Sequence, residues 1–361
     1  MKVGVHKVAM SAPNDISELA ALIEAGRVDP AAIVALIGKT EGNGGANDFT
    51  RGYATLSYQL LLGPLLGITP DEVGRRIAFV WSGGTEGVLS PHATVFTREP
   101  GGGPAGAGGR LALGIAITRD ILPEEVGTMV QVREVAAAVR TALAVADPAD
   151  VHYVQVKGPL LTPASIADAD RRGAIPVTRD PNGSKPYARG AMALGVALAL
   201  SEVAEAELSD AAIARRFDLF SSVASTSAGG ELTKCEVLLF GNSPEASGEF
   251  RIGHGILRDA IDADGVIAAL VSAGLAGRPD DAARSRIAAV FAKAEASPTG
   301  RIRGRRNTML SDADINYERH ARAALGAVIA SVTGDPAIFV SGGTEHQCAP
   351  GEAPIAAIVR A

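Results

Sequence analysis

Ser82-Gly83-Gly84-Thr85-Glu86 recurs unchanged as Ser341-Gly342-Gly343-Thr344-Glu345. Each copy follows a short apolar run that reads as a strand: Ile77-Ala-Phe-Val-Trp81 before the first, Ala337-Ile-Phe-Val340 before the second. Between them lies a degenerate third copy, Ser227-Ala-Gly-Gly-Glu231, which keeps the same spacing from serine to glutamate. Ser225 is a competing serine in this copy, but its distance to Glu231 does not match the spacing of the other two. Self-similarity at long spacing signals repeated structural units.

Working outward, three further elements recur in the same order. A strand-like run ends in lysine at Lys39, Lys157 and Lys293. An arginine opens an Ala/Gly-rich, helix-like run at Arg51, Arg189 and Arg322. A leading strand followed by an acidic helix start comes first each time: Val3 to Val8 with Asn14 and Asp15, Leu113 to Ile117 with Pro123 and Glu124, and Arg251 to Gly255 with Asp262 and Asp264. The chain therefore runs strand, helix, strand-Lys, Arg-helix, strand-Ser three times. Glu99-Pro-Gly-Gly-Gly-Pro-Ala-Gly-Ala-Gly-Gly109 and Asn242 to Gly248 have linker and turn composition. The expected units are residues 1–104, 110–249 and 251–361, and alternating helices and strands make the class α+β, each unit an α/β repeat.

The bulk composition bounds the function. With 361 residues, 47% of them hydrophobic and 20% charged, the chain has material for a sizeable core. A net charge of −6 lacks the basic footprint of a nucleic-acid binder. No segment is long and apolar enough to span a bilayer, and the N-terminus lacks the apolar stretch of a signal peptide. Two cysteines, Cys235 and Cys348, do not make a disulfide framework, so the cytoplasm is the expected location.

The repeated residues are parts for acyl transfer at a carbonyl. A lysine in an apolar setting loses its proton near neutral pH and serves as a base. A serine beside it becomes a nucleophile, and nearby N–H groups hold the tetrahedral oxyanion. Arginine offers a fixed fork of donors to ring oxygens. If the units pack around one axis, all three sets converge on one small site. Rival motifs fail: Gly38-Lys39-Thr40 lacks the preceding glycine of a phosphate loop, the six histidines have no zinc-type spacing, and no nucleophile elbow surrounds the serines.

Several motifs together carry a specific resemblance: Gly38 to Gly44, Asn47 to Gly52, Ser82 to Gly87, Val156 to Thr162, Ser184 to Gly190 and Ser341 to Gln347. The chain resembles the cyanuric acid hydrolase and barbiturase family along nearly its whole length. The resemblance implies three structural units around a pseudo-threefold axis and a ring-shaped substrate at the centre. It implies Lys157 as the base and Ser227 as the nucleophile. Arg51, Arg189, Arg322, Lys39 and Lys293 would bind substrate together with Ser82-Gly83, Ser227-Ala228 and Ser341-Gly342. Where the family has glycine after the second serine, this chain has Ala228.

The expected reaction is opening of cyanuric acid to carboxybiuret, which decarboxylates to biuret. The alternatives are opening of barbituric acid to ureidomalonate, or a non-catalytic protein that binds a small ring. No organic cofactor is expected. The resemblance further implies a structural divalent cation, Mg or Ca, held by Glu295 with Thr344, Gln347, Cys348, Ala349 and Glu352, mostly through backbone carbonyls, and a homotetramer. Neither nucleic acid nor membrane is an expected partner.

Overall fold

In the computed structural model, which describes residues 1–101 and 108–361, three four-stranded sheets are built to one plan. The unit boundary expected near residue 104, and residues 102–107 of the expected linker, lie outside the described residues.

The first sheet uses β1 (Lys2–Ala9), β2 (Ile33–Thr40), β3 (Ala78–Gly83) and β4 (His92–Glu99), with helices α1 (Ser17–Glu24), α2 (Phe49–Leu66) and α3 (Pro70–Arg76). The second uses β5 (Arg110–Asp120), β6 (Val151–Pro159), β7 (Ala224–Gly229) and β8 (Lys234–Ser243), with α4 (Met129–Ala142), α5 (Pro163–Arg171) and α6 (Ser184–Ala199). The third opens with β9 (Phe250–Leu257), α7 (Ala263–Ser272), α8 (Asp281–Arg284) and β10 (Ile287–Ala294). A small hairpin, β11 (Arg301–Ile302) and β12 (Arg305–Arg306), precedes α9 (Tyr317–Thr333), β13 (Phe339–Gly342) and β14 (Ala353–Arg360).

Strand orders are β1-β4-β2-β3, β5-β8-β6-β7 and β9-β14-β10-β13. In every sheet the lysine strand lies parallel to the serine strand and antiparallel to the closing strand. A parallel pair needs a crossover, and the arginine helices α2, α6 and α9 supply it. The closing strands β4, β8 and β14 were absent from the repeat read in the sequence. They are buried on both faces, between two layers, so no exposed polar face alternates with a buried apolar one and no period-two signal marks them.

Local chemistry sets the helix ends. Asp48 and Asn316 accept backbone N–H groups at the starts of α2 and α9, while Gly67 and Gly334 adopt positive φ at their ends. Thr69 with Glu72 forms a capping box on α3, with Pro70 at its first position. Helix α6 is apolar on nearly every side because it is sandwiched: one flank joins the core under the second sheet, the other a cluster with Val203, Ile213 and Leu219.

Each sheet buries one face under its own helices and the other in a core shared by all three units. Phe96, Phe240 and Phe291, one from each sheet, meet there with ring centroids 5.0–6.3 Å apart. Alternation along the lysine strands decides what faces this core. Ala35 and Ile37 precede Lys39 on the shared side, Tyr153 and Gln155 precede Lys157, and Ala289 and Phe291 precede Lys293. The three lysines therefore end the common core at its rim.

Candidate active site

The parallel registers pair Lys39 with Ser82, Lys157 with Ser227 and Lys293 with Ser341. One mechanical rule applied three times thus brings the predicted lysines and serines to the mouth of the shared core. A cavity there is lined by Ser82, Gly83, Lys157, Ser227, Ala228, Ser341 and Gly342, and by Arg51, Arg189 and Arg322. Lys39 and Lys293 lie directly behind it, completely buried.

The three pairs are not alike in detail. Lys39 Nζ donates to Ser82 Oγ at 3.1 Å, and Lys293 Nζ to Ser341 Oγ at 3.3 Å. Lys157 Nζ instead donates to the carbonyl of Trp81 at 3.2 Å and meets Glu231 Oε1 at 3.1 Å. Ser227 Oγ accepts from Gln155 Nε2 at 3.4 Å. The loops differ too. Gly84 and Gly343 follow their Ser-Gly pairs with φ of 101° and 80°, in the region that favours glycine. Gly229 stays in strand β7, paired with Pro159. A Cβ on Gly83 would strike Asp48 Oδ2, and one on Gly342 would lie 2.7 Å from Arg322 Nη1. The second unit tolerates a methyl group at the matching position, Ala228, and keeps the backbone N–H.

Burial lowers the proton affinity of all three lysines. For Lys157 it outweighs the opposing Glu231, and nearby Arg51 adds to it. Lys39 is pushed well down by burial and by Arg322. Lys293 falls to about 7 through burial and Arg189.

The predicted arginines do more than face the cavity. Each sits on the crossover helix of one unit and forms a two-pronged pair with the glutamate ending the serine motif of another. Arg51 meets Glu231 at 3.0 and 3.3 Å, Arg189 meets Glu345 at 2.7 Å through both prongs, and Arg322 meets Glu86 with Nε at 2.9 Å. Nε and Nη2 are used in each case, which leaves the Nη1 edge. Arg51 Nη1 also meets Asp48 at 3.3 Å. The spacing from serine to glutamate was visible in the sequence; that its glutamate clasps another unit's arginine was not, since the partners are 156 or more residues apart.

The sequence reading missed four other residues at the cavity: Gly44, Trp81, Lys185 and Glu318. Glu318 bonds Arg189 at 3.1 Å and approaches Lys185 at 3.9 Å. It occurs in one unit only, so no repeat pointed to it. Glu236, opposite Lys157 on β8, was also missed; burial pushes its carboxyl up to about 7.

The six residues expected around a cation are partly gathered. Glu295 Oε2 accepts from Thr344 N at 3.0 Å and Oγ1 at 3.2 Å. With Cys348 and Glu345 they line a second cavity. Gln347 turns its side chain inward, accepting from Thr226 N and donating to the carbonyl of Gly343. The carbonyl of Ala349 accepts from Glu352 N within the same loop. Among the described residues, no three His, Cys, Asp or Glu side chains converge. Burial and the neighbouring Glu345 raise Glu295 to about 6, a strain that a cation would relieve.

The inter-unit pairs make acid sensitivity calculable in sign. Burial opposes the charge of Glu231 and Glu318, but Lys157 and Arg51 in one case, Arg189 and Lys185 in the other, hold both carboxyls down at about 2. Their folded values lie below the ordinary 4.5, so the stability they contribute is present above that value and lost as pH falls toward 2. Melting temperature should therefore drop steeply between pH 4.5 and 2.5. Arg322→Met, which strands Glu86, should lower stability at neutral pH by about 3 kcal/mol. Thermal and urea melts check both. An unchanged Arg322→Met melt would show that the ring of pairs does not hold the units.

Comparison with known proteins agrees with this geometry. A family model described as an amidohydrolase ring-opening protein matches residues 4–360. A protein of Azorhizobium caulinodans named cyclic amide hydrolase is 75% identical and is covered, like this chain, over 100% of its length. A second protein of that organism, named cyanuric acid amidohydrolase, is 49% identical over 98% of this chain and 97% of its own. A solved structure of cyanuric acid hydrolase, described as an evolutionary innovation by structural concatenation, superposes with a TM-score of 0.94 at 52% identity, covering 100% of this chain and 99% of that one. Matched by the family model over almost all of its length and by full-length relatives at high identity, the chain belongs to the ring-opening amidohydrolases.

Proposed function

We propose that this chain hydrolyses cyanuric acid, with Lys157 as base and Ser227 as nucleophile. The observation that carries the reading is the set of three Lys–Ser pairs in one register around one cavity, matched to a substrate with threefold symmetry. The second unit is singled out by its differences: Gln155 on Ser227, Glu231 on Lys157 and an extended Gly229. Paired strands run about 4.8 Å apart, so a change of lysine rotamer brings Nζ to the serine. Neutral Lys157 takes the Ser227 proton, and Oγ attacks a ring carbonyl. Backbone N–H groups and the arginines receive the oxyanion, Arg189 and Arg322 through their Nη1 edges and Arg51 through an Nη1 it shares with Asp48. The C–N bond breaks as Lys157 returns the proton to nitrogen, and water then releases carboxybiuret. Lys39 and Lys293 hold Ser82 and Ser341 as binding groups. No organic cofactor enters this chemistry.

A second reading has its own support. The relative at 75% identity is named only as a cyclic amide hydrolase, while its organism's other protein carries the cyanuric acid name at 49%. Barbituric acid differs by one ring CH2, so a single edge contact decides the preference. Incubation with each compound separately, following ring ultraviolet absorbance, tests both; loss of neither rejects hydrolysis of either.

Ser227→Ala and Lys157→Ala should each abolish turnover, and the double variant should be little worse, because the pair acts as a unit. The base works deprotonated, so wild-type activity should rise with pH and level off below the ordinary lysine value of 10.5. Retained turnover in Ser227→Ala moves the nucleophile to Ser82 or Ser341. A rate flat across mildly acidic to alkaline pH excludes a lysine base.

We further propose that Glu295 and the carbonyls of Thr344, Gln347, Cys348 and Ala349, with Glu352, hold a divalent cation that steadies the loop after Ser341-Gly342. Oxygen donors suit Mg or Ca, and relief of the raised Glu295 carboxyl supports the fit. Chelator should lower the melting temperature, with activity falling only as the loop loosens. Instant loss of turnover at unchanged melting would assign the ion to the chemistry instead.

We propose the division into units 1–104, 110–249 and 251–361, which is supported by three sheets running from Lys2 to Glu99, Arg110 to Ser243 and Phe250 to Arg360, and a cytoplasmic location, which fits two free, buried cysteines. A homotetramer is the proposed assembly. Phe49, Tyr53, Leu56 and Leu60 form an exposed apolar stripe along α2 at helical spacing, which association would cover. Light scattering of the purified protein should give four copies; a monomer at micromolar concentration rejects the assembly.

A further inference from the structure

Beneath each Lys–Ser pair, on the same faces of the same two strands, lies a second cross-strand pair. In the first unit it is Ile37 with Val80, and in the third Phe291 with Phe339. Both belong to the shared apolar core. In the second unit the pair is Gln155 with Ser225, and one step further back stands Tyr153 where the sister units have Ala35 and Ala289. Polar groups have replaced core side chains in one unit out of three, at the residues that back Ser227. Gln155 and Ser225 are completely buried. A buried amide costs stability unless every bond is made, so a merely structural solution would have repeated the apolar pair.

The bonds are made, and they fix the amide. Gln155 Oε1 accepts from Tyr153 Oη at 2.7 Å and from Ser225 Oγ at 3.0 Å. Nε2 donates to the carbonyl of Val156 at 3.2 Å and to Ser227 Oγ at 3.4 Å. Two acceptor sites and two N–H groups are the whole capacity of the side chain. The orientation follows from chemistry: a carbonyl oxygen can only accept, so the end of the amide facing Val156 must be the NH2. The atom turned toward Ser227 is therefore a donor.

We propose that Gln155 is a positioning residue that prepares Ser227 for attack, an inference resting on Ser227 being the nucleophile. An N–H donated to Oγ occupies a lone pair and leaves the hydroxyl hydrogen to point elsewhere, with Lys157 as the directly opposed residue. When that hydrogen passes to Lys157 Nζ, the same N–H steadies the negative charge on Oγ until its electron pair forms the bond to the ring carbon and the carbonyl pair moves onto oxygen. Tyr153 and Ser225 act one step further back, holding the amide from flipping. Ser82 and Ser341 sit above apolar pairs and have no counterpart of this donor at the matching positions, which gives a physical reason for one serine of three to react.

Gln155→Met removes the donor but strands Tyr153 and Ser225. The triple variant Tyr153→Phe, Gln155→Met, Ser225→Ala removes every side-chain partner and copies the apolar character of the sister units, so it keeps the test open if the single variant folds poorly. Turnover of cyanuric acid and the rate of Ser227 phosphorylation by diisopropyl fluorophosphate, which releases fluoride and needs no ring substrate, are measured beside Ser227→Ala. The expected result is a loss in kcat of about 10-fold or more, KM changed less than about twofold because the ring contacts remain, and labelling slowed in parallel. Unchanged kcat and labelling in the folded triple variant overturn the proposal. So does a rise in KM at constant kcat, which would make Gln155 a substrate-binding prop. An inactive Ser227→Ala beside a fully active triple variant defeats the Gln155 proposal alone; an active Ser227→Ala defeats the nucleophile assignment, and this proposal with it.

Discussion

Three arginine–glutamate clasps close the molecule into a ring, and most of the site's properties follow from them. Each joins one unit's crossover helix to another unit's serine loop: Arg51 to Glu231, Arg189 to Glu345, Arg322 to Glu86. The charges are largely removed from water, where a two-pronged pair is directional and an unpaired partner is costly. The clasps therefore set the distance between units and orient the serine loops about the axis. They also turn the Nη1 edges of Arg189 and Arg322 to the cavity, because Nε and Nη2 are spent on glutamate, whereas Arg51 Nη1 is shared with Asp48.

The same geometry explains the buried lysines. A lysine at the rim of an aromatic and aliphatic core has little water to stabilise its charge, and the nearest arginine adds repulsion. The clasp glutamates oppose this only in part. The core that the three sheets share is thus both the main source of cohesion and the reason the lysines can be neutral. Packing and chemistry are not separable here: the residues that precede each lysine on its strand are the wall of the core.

In the proposed mechanism, symmetry supplies the binding surface and its breaking supplies direction. Three matched sets suit a ring with three like edges, yet hydrolysis must begin at one carbonyl. The second unit departs from its sisters in the polar group behind its serine, the glutamate on its lysine, the extended Gly229 and the methyl of Ala228. These differences are small in sequence and lie on one pair of strands and the turn that follows the second, at Glu231.

The repeat of lysine, arginine and serine motifs was legible in the sequence because duplication leaves the same residues in the same order, and glycine after serine marks backbone that a Cβ would obstruct. That reading captured the mixed class, and the lysines, arginines and serines it singled out line one cavity or lie buried behind it. The return strands β4, β8 and β14 were not legible, since a strand buried on both faces has no alternation to detect. Nor were Glu318 and Lys185, which occur once, nor the partners of the clasp glutamates, which depend on where distant units meet. Gln155 was visible as a letter, but its meaning was not: only the parallel register with β7 sets it diagonally behind Ser227. Sequence by itself determined which chemical groups are present in triplicate, because spacing along a chain is local; which of them touch, and which serine has a donor at its back, was decided by tertiary structure, because contacts between strands and between units are set by register and packing.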